Sequence, residues 1–184
     1  MHAALTDAKA HMQKAVEAAK REFAAVRTGR ASPALLERVT VEYYGVPTPV
    51  NQVASITIPE ARLIVIQPWD KSLVREIERA IQKSELGLTP SNDGSAIRLP
   101  IPTLTGERRR ELVKVVHKQA EEARVAVRNI RRDHKDQLER QEKKGELSED
   151  AARRAVEELQ KLTDQHVKQI DALLAAKEAE ITEV

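Results

Sequence analysis

The chain has 184 residues, with 41% hydrophobic but only 2% aromatic side chains, and a formal net charge of +2. Ala, Glu, Lys, Leu and Arg make up about half of it, a composition of long helices that argues against a mostly β protein. Cysteine is absent, which excludes disulfide frameworks, thiolate metal sites and cysteine nucleophiles. There is no apolar run of membrane-spanning length, and the N-terminus interleaves charged with apolar residues, so a soluble, cytoplasmic protein is expected.

Leu5, Ala8, Met12, Ala15, Ala19, Phe23 and Val26 recur at spacings of three and four, one face of a helix that Gly29 and Pro33 would end. All eight prolines then fall between Pro33 and Pro102. Because proline is excluded from helix interiors, residues 31–105 read as a separate insert. Within it, Val39–Tyr43, Val53–Ile58, Leu63–Ile66 and Ala96–Leu99 are β-branched-rich runs bounded by turn residues, and Ser72–Leu86 has a helical pattern through Leu73, Ile77, Ala80 and Ile81. Asn92-Asp93-Gly94 reads as a hairpin turn.

After Gly106 a second stripe runs through Leu112, Val116, Ala120, Ala123, Val127, Ile130, His134 and Leu138 as far as Gly145. Ser148 suits an N-cap, with Glu149 and Asp150 favourably placed on the helix dipole. A third stripe follows at Ala152, Val156, Leu159, Val167, Ile170, Leu174 and Ile181. Each helix has one apolar face that needs a partner. An α+β architecture is therefore expected: a long antiparallel three-helix bundle from residues 1–30 and 106–184, with a small α/β sandwich inserted at 31–105. The competing arrangement is a homodimeric coiled coil. The two crossings, near residues 30–33 and 102–106, make Ser32, Pro33, Pro102, Thr103, Thr105 and Gly106 hinge candidates.

No catalytic constellation is visible. The five histidines show neither HExxH spacing nor a zinc set along the chain, His134 reads as a core or boundary histidine, and there is no phosphate-binding glycine loop and no nucleophile elbow. No enzymatic activity, metal or cofactor of its own is expected.

Charge is more informative by segment. Basic residues exceed acidic ones six to three over residues 1–30 and thirteen to nine over 106–147, whereas acidic residues lead nine to five over 148–184. At 100° per residue, Arg124, Arg128, Arg131 and Lys135 fall within about 60° of one another, and Arg110, Lys114, His117 and Arg132 extend the flank to about 35 Å. Arg27 and Arg30 add charge near the hinge. Few acidic residues interrupt the run Val125–Arg132, and arginine suits bidentate phosphate recognition. With no aromatic platform beside it, the strip fits the phosphates of a structured RNA read by shape.

The segments Arg27-Thr-Gly-Arg-Ala-Ser-Pro33, Val41-Glu-Tyr-Tyr-Gly45, Leu86-Gly-Leu-Thr-Pro-Ser-Asn92, Glu107-Arg-Arg-Arg-Glu-Leu-Val113, Ala123-Arg-Val-Ala-Val-Arg-Asn-Ile-Arg-Arg-Asp133 and Leu147-Ser-Glu-Asp150 resemble, in order and along nearly the whole chain, the signatures of the ribosome recycling factor family. Gly106 departs from it, standing where the family's helix start has Glu. The resemblance implies an L-shaped monomer that binds the post-termination ribosome through large-subunit ribosomal RNA. With elongation factor G and GTP, it implies, the subunits are split and messenger and transfer RNA released, the nucleotide belonging to the partner. It implies no role for DNA or a membrane. On this view Arg131 and Arg128 are the central RNA contacts, supported by Arg27, Arg30, Arg110, Arg124, Arg132 and Lys135. A structured-RNA-binding helical module with no motor partner is the alternative.

Overall fold

Three long helices carry the apolar stripes. In the computed structural model, which describes residues 3–183, these are α1 (Ala3–Ala25), α3 (Gly106–Lys143) and α4 (Glu149–Thr182). Each of the three packs against the other two. The seam buries Met12, Val116, Ala120, Val127, Leu138 and Ile170 completely, so the stripes satisfy one another within a single chain.

Helix α3 stops where Gly145 takes φ +76°, and the backbone N–H groups of Gly145 and Glu146 donate to the carbonyls of Glu142 and Gln141. After this turn Ser148 Oγ accepts from Ala151 N at 3.2 Å and starts α4. Along α4 the expected stripe members Val156 and Val167 are only half-buried, and between Leu159 and Ile170 the fully buried positions are Thr163 and His166. Both are tolerated because each donates to the carbonyl four residues back, Thr163 Oγ1 to Leu159 at 2.8 Å and His166 Nδ1 to Leu162 at 2.6 Å. Gly106 is the first residue of α3, where a glycine costs less than it would in the helix interior.

The remaining elements are β1 (Thr40–Tyr43), β2 (Val46–Pro49), β3 (Ala54–Glu60), β4 (Leu63–Pro68), α2 (Val74–Lys83), β5 (Ser91–Asn92) and β6 (Ile97–Pro100). Strands β3-β4-β6-β5 form an antiparallel sheet in that order, and β1 and β2 form a separate ribbon. Leu36, Val41, Ile64, Ile66, Ile77, Ile81, Ile97 and Leu99 make the core of this unit. Strand β2, with Pro47 and Pro49, survives because a two-stranded ribbon leaves proline's missing N–H unneeded on an outer edge. Its turn uses Tyr44 (φ 50°) and Gly45 (φ 76°), the left-handed pair of a tight hairpin.

Contacts divide the chain into two units. One comprises the residues up to Thr28 and from Gly106 onward, and the other Gly29–Thr105. Four of the six hinge candidates, Ser32, Pro33, Pro102 and Thr103, therefore lie inside the smaller unit rather than at its edge. Long-range backbone bonds hold them there: Ala31 N donates to Ala61 O and Ile101 N to Arg62 O, both at 2.8 Å. Gly29, at φ +76°, also lies against Leu104. The boundaries fall at Thr28–Gly29 and Thr105–Gly106.

Candidate nucleic-acid interface

The flank of α3 next to its buried stripe carries the basic strip. Arg110, Arg128, Arg132 and Lys135 are exposed and Arg124 and Arg131 half-buried. From Arg110 to Lys135 the rise of 1.5 Å per residue makes the strip about 37 Å long on one rigid element. Arg27, past the end of α1, is exposed in the same unit, whereas exposed Arg30 belongs to the smaller unit.

The arginines are not equivalent. Arg124 is engaged inside the bundle: its guanidinium donates to Asp171 of α4 through Nε at 2.8 Å and lies 2.7 Å from the same carboxylate through Nη2, with Glu121 at 3.1 Å. Its pKa is raised, first by the bond to Asp171. Arg128 donates to the other oxygen of Glu121 at 2.5 Å. The bonds from Arg124 and Arg128 hold the Glu121 carboxyl below the usual carboxylate range. The expectation that few acids offset this run is corrected here. Glu121 lies three and seven residues before its partners on the same helical face, and Asp171 arrives from another helix altogether.

Arg131 has a different partner. Nη1 donates to the side-chain oxygen of Gln160 on α4 at 2.8 Å, and Gln160 Nε2 in turn donates to Asp164 at 2.9 Å. The guanidinium is thus oriented by a neutral amide, which fixes its direction without cancelling its charge. Arg132 and Arg110 make no ion pair or hydrogen bond among the described residues. Lys135 faces Glu139 at 3.6 Å, a solvent-exposed pair worth little. His117 Nε2 is 3.1 Å from Glu178 of α4. The strip therefore has a neutralised middle at Arg124 and Arg128, an oriented cation at Arg131, and uncompensated cations at Arg132 and Arg110.

Such an array can hold phosphate oxygens in series along a rod. It has no aromatic surface for stacking: Phe23 is buried in the bundle, while Tyr43, Tyr44 and Trp69 all belong to the smaller unit. Trp69 and Tyr44 are the most exposed large hydrophobics there. Asn92-Asp93-Gly94 is a turn, linking β5 to β6 as a hairpin. The Asp93 carboxylate accepts from Ser95 N, Ser95 Oγ and Ala96 N at 2.8 to 3.0 Å, and these bonds bring its pKa down to about 2.

Sequence spacing shows no metal set, yet the fold assembles a mixed cluster from two helices. Asp7 and His11 of α1 meet buried His134 of α3. His134 has the core position expected of it, and the signal for its neighbours is the i, i+4 spacing of Asp7 and His11, which becomes informative only once α1 and α3 are paired.

A family model described as "Ribosome recycling factor" matches residues 19–182. The chain is 63% identical over 180 residues to the ribosome-recycling factor of Halalkalibacterium halodurans and 61% identical to that of Geobacillus kaustophilus; each match covers 98% of this chain and 97% of the relative. Among solved structures, the solution structure of a ribosome recycling factor is similar, with a TM-score of 0.76, 49% identity and full coverage of both chains. A second similar chain comes from models of the T. thermophilus ribosome recycling factor and E. coli elongation factor G bound to the E. coli post-termination complex, with a TM-score of 0.64, 47% identity, and 98% and 97% coverage.

Proposed function

The chain belongs to the ribosome recycling factor family, and on that premise we propose that it binds the post-termination ribosome and, with elongation factor G, takes it apart. The observation that carries this to particular residues is the basic face of α3. Arg131 and Arg132 lead the contact with large-subunit ribosomal RNA, and Arg110, Arg128, Lys135 and Arg27 support it. Arg124 acts first as a strut between α3 and α4, because its fork is already occupied by Asp171. Arg30, on the smaller unit, adds charge close to the boundary.

The mechanism needs a stiff body and a movable one. Helices of 38 and 34 residues, about 57 and 51 Å long, transmit force that a flexible chain would absorb. The two connections at Thr28–Gly29 and Thr105–Gly106 are single strands of chain, and they serve as the hinges about which the smaller unit moves while the bundle stays on RNA. That smaller unit, carrying eight basic and eight acidic residues over positions 29–105, offers its surface to elongation factor G. The chain catalyses no reaction itself; GTP is consumed by the elongation factor, and the site of action is the cytoplasm. It works as a monomer, its apolar stripes being occupied by one another.

Light scattering of post-termination ribosomes tests this reading. Dissociation into subunits is expected only when this protein, elongation factor G and GTP are present together. Splitting that proceeds without the elongation factor, or none in the full mixture, would overturn it. The alternative of an RNA-binding module with no motor partner is not favoured, because a relative occupies the post-termination complex together with elongation factor G.

A further inference from the structure

The contact between α1 and α3 sets the second ring nitrogen of a buried histidine against a carboxylate oxygen. His134 is 7% exposed. Its Nδ1 lies 2.8 Å from the carbonyl oxygen of Ile130, which can only accept, so Nδ1 carries a hydrogen and donates it. In the neutral imidazole this leaves Nε2 as a bare lone pair, and Nε2 lies 3.2 Å from Asp7 Oδ2, another acceptor. A second imidazole closes the group: His11 Nδ1 is 3.8 Å from the same Asp7 oxygen, and the two rings are 5.7 Å apart between centroids.

We propose that Asp7, His11 and His134 bind a divalent transition metal of the zinc class, clasping α1 to α3. Three lines of geometry support this. The ligand atoms all lie within 4.8 Å of one another. Bonds of about 2.0 to 2.1 Å in a tetrahedron put neighbouring ligand atoms about 3.3 to 3.4 Å apart, so the Asp7–His134 pair already has the separation required. The Asp7–His11 pair, at 3.8 Å, and the two imidazole nitrogens, within 4.8 Å, are wider, and closing them requires His11, whose side chain is 47% exposed, to turn inward. Next, Nδ1–H donation to a backbone carbonyl is the outer bond that fixes the tautomer of a metal-binding histidine and turns its Nε2 outward as a ligand. Lastly, two imidazoles with one carboxylate suit zinc, cobalt, nickel or copper rather than calcium or magnesium. Asp7 is 61% exposed at its side chain, which leaves the outer face open for water as the fourth ligand. His166, which makes the same backbone bond, belongs to no such group of three among the described residues.

The full-length protein, stripped with chelator, is titrated with zinc by calorimetry and followed by NMR of its imidazole nitrogens. One zinc per chain is expected, with the His134 Nε2 and His11 resonances shifting together. Cobalt should give visible absorption of a nitrogen-ligated, four-coordinate ion. His11→Ala, a substitution of an exposed residue, should weaken zinc at least about tenfold with helicity intact, since losing even an outer partner costs that much. Asp7→Asn should weaken it comparably. If His134 carries protons on both nitrogens and does not respond to zinc, the group is an imidazolium–carboxylate pair and the metal site is refuted. Equal affinity in His11→Ala would likewise overturn it, by placing any bound zinc elsewhere.

Discussion

Glu121 restrains two arginines of the basic strip, so removing its charge should strengthen RNA binding rather than weaken it. In Glu121→Gln the pair to Arg128 at 2.5 Å is lost, and so is the 3.1 Å pair to Arg124. Arg124 stays tied to Asp171 at 2.7 Å, so one arginine, not two, becomes available. One additional phosphate contact steepens the dependence of log affinity on log salt by about 0.9, or about 0.7 for single strands. Across a fourfold range, from 50 to 200 mM, that amounts to an extra loss of roughly 2.5- to 3.5-fold. The assay is equilibrium binding to large ribosomal subunits at several salt concentrations, with melting recorded beside it; Glu121 is exposed and Arg124 keeps its bond to Asp171, so melting should hardly move. Adding Asp171→Asn should release Arg124 and steepen the slope again. An unchanged slope, or weaker binding at low salt, would show that the strip does not meet phosphates as described.

Three further outcomes test the architecture. Ile77→Ala removes a fully buried side chain of α2 from the core of the smaller unit and should cost about 2–5 kcal/mol in denaturant unfolding of that unit; a loss below 1 kcal/mol would contradict the packing. Gly29→Ala forces φ +76° on a residue with a Cβ that would sit 3.1 Å from Leu104 Cγ, and should destabilise the chain by about 1–2 kcal/mol in thermal melting. Asp93 has a folded pKa of about 2 against about 3.9 unfolded, so its stabilisation is full above about pH 4 and disappears as pH falls toward 2. The stability gap between the parent and Asp93→Asn should follow that window, and a gap independent of pH would rule the assignment out.

How far the sequence reaches depends on the range of the interaction. The three long helices were readable because their stripes repeat every three or four residues over 20 to 40 positions, and their ends carry strong local signals at Gly145 and Ser148. Strand β2 was not, because Pro47 and Pro49 argue against any strand until a partner supplies the other side. Strand β5 has two residues, too few to show a pattern. The position of the basic strip followed from helical geometry alone. Its unequal arginines did not, since Asp171, Gln160 and Glu178 arrive from α4 across more than forty, about thirty and about sixty residues of chain. Bonds of similar range place the crossings: those of Ala31 to Ala61 and Ile101 to Arg62 hold Pro33 and Pro102 within the smaller unit.

The most direct test of the account is ribosome affinity in Arg131→Glu. Arg131 is oriented by Gln160, keeps its charge, and takes no part in the ion pairs that join the helices. Reversing it should lower affinity for the large subunit at least about tenfold, the worth of a hydrogen bond to a charged group, with helicity and melting unchanged. Undiminished affinity in a folded Arg131→Glu protein would contradict the claim that this face of α3 holds ribosomal RNA.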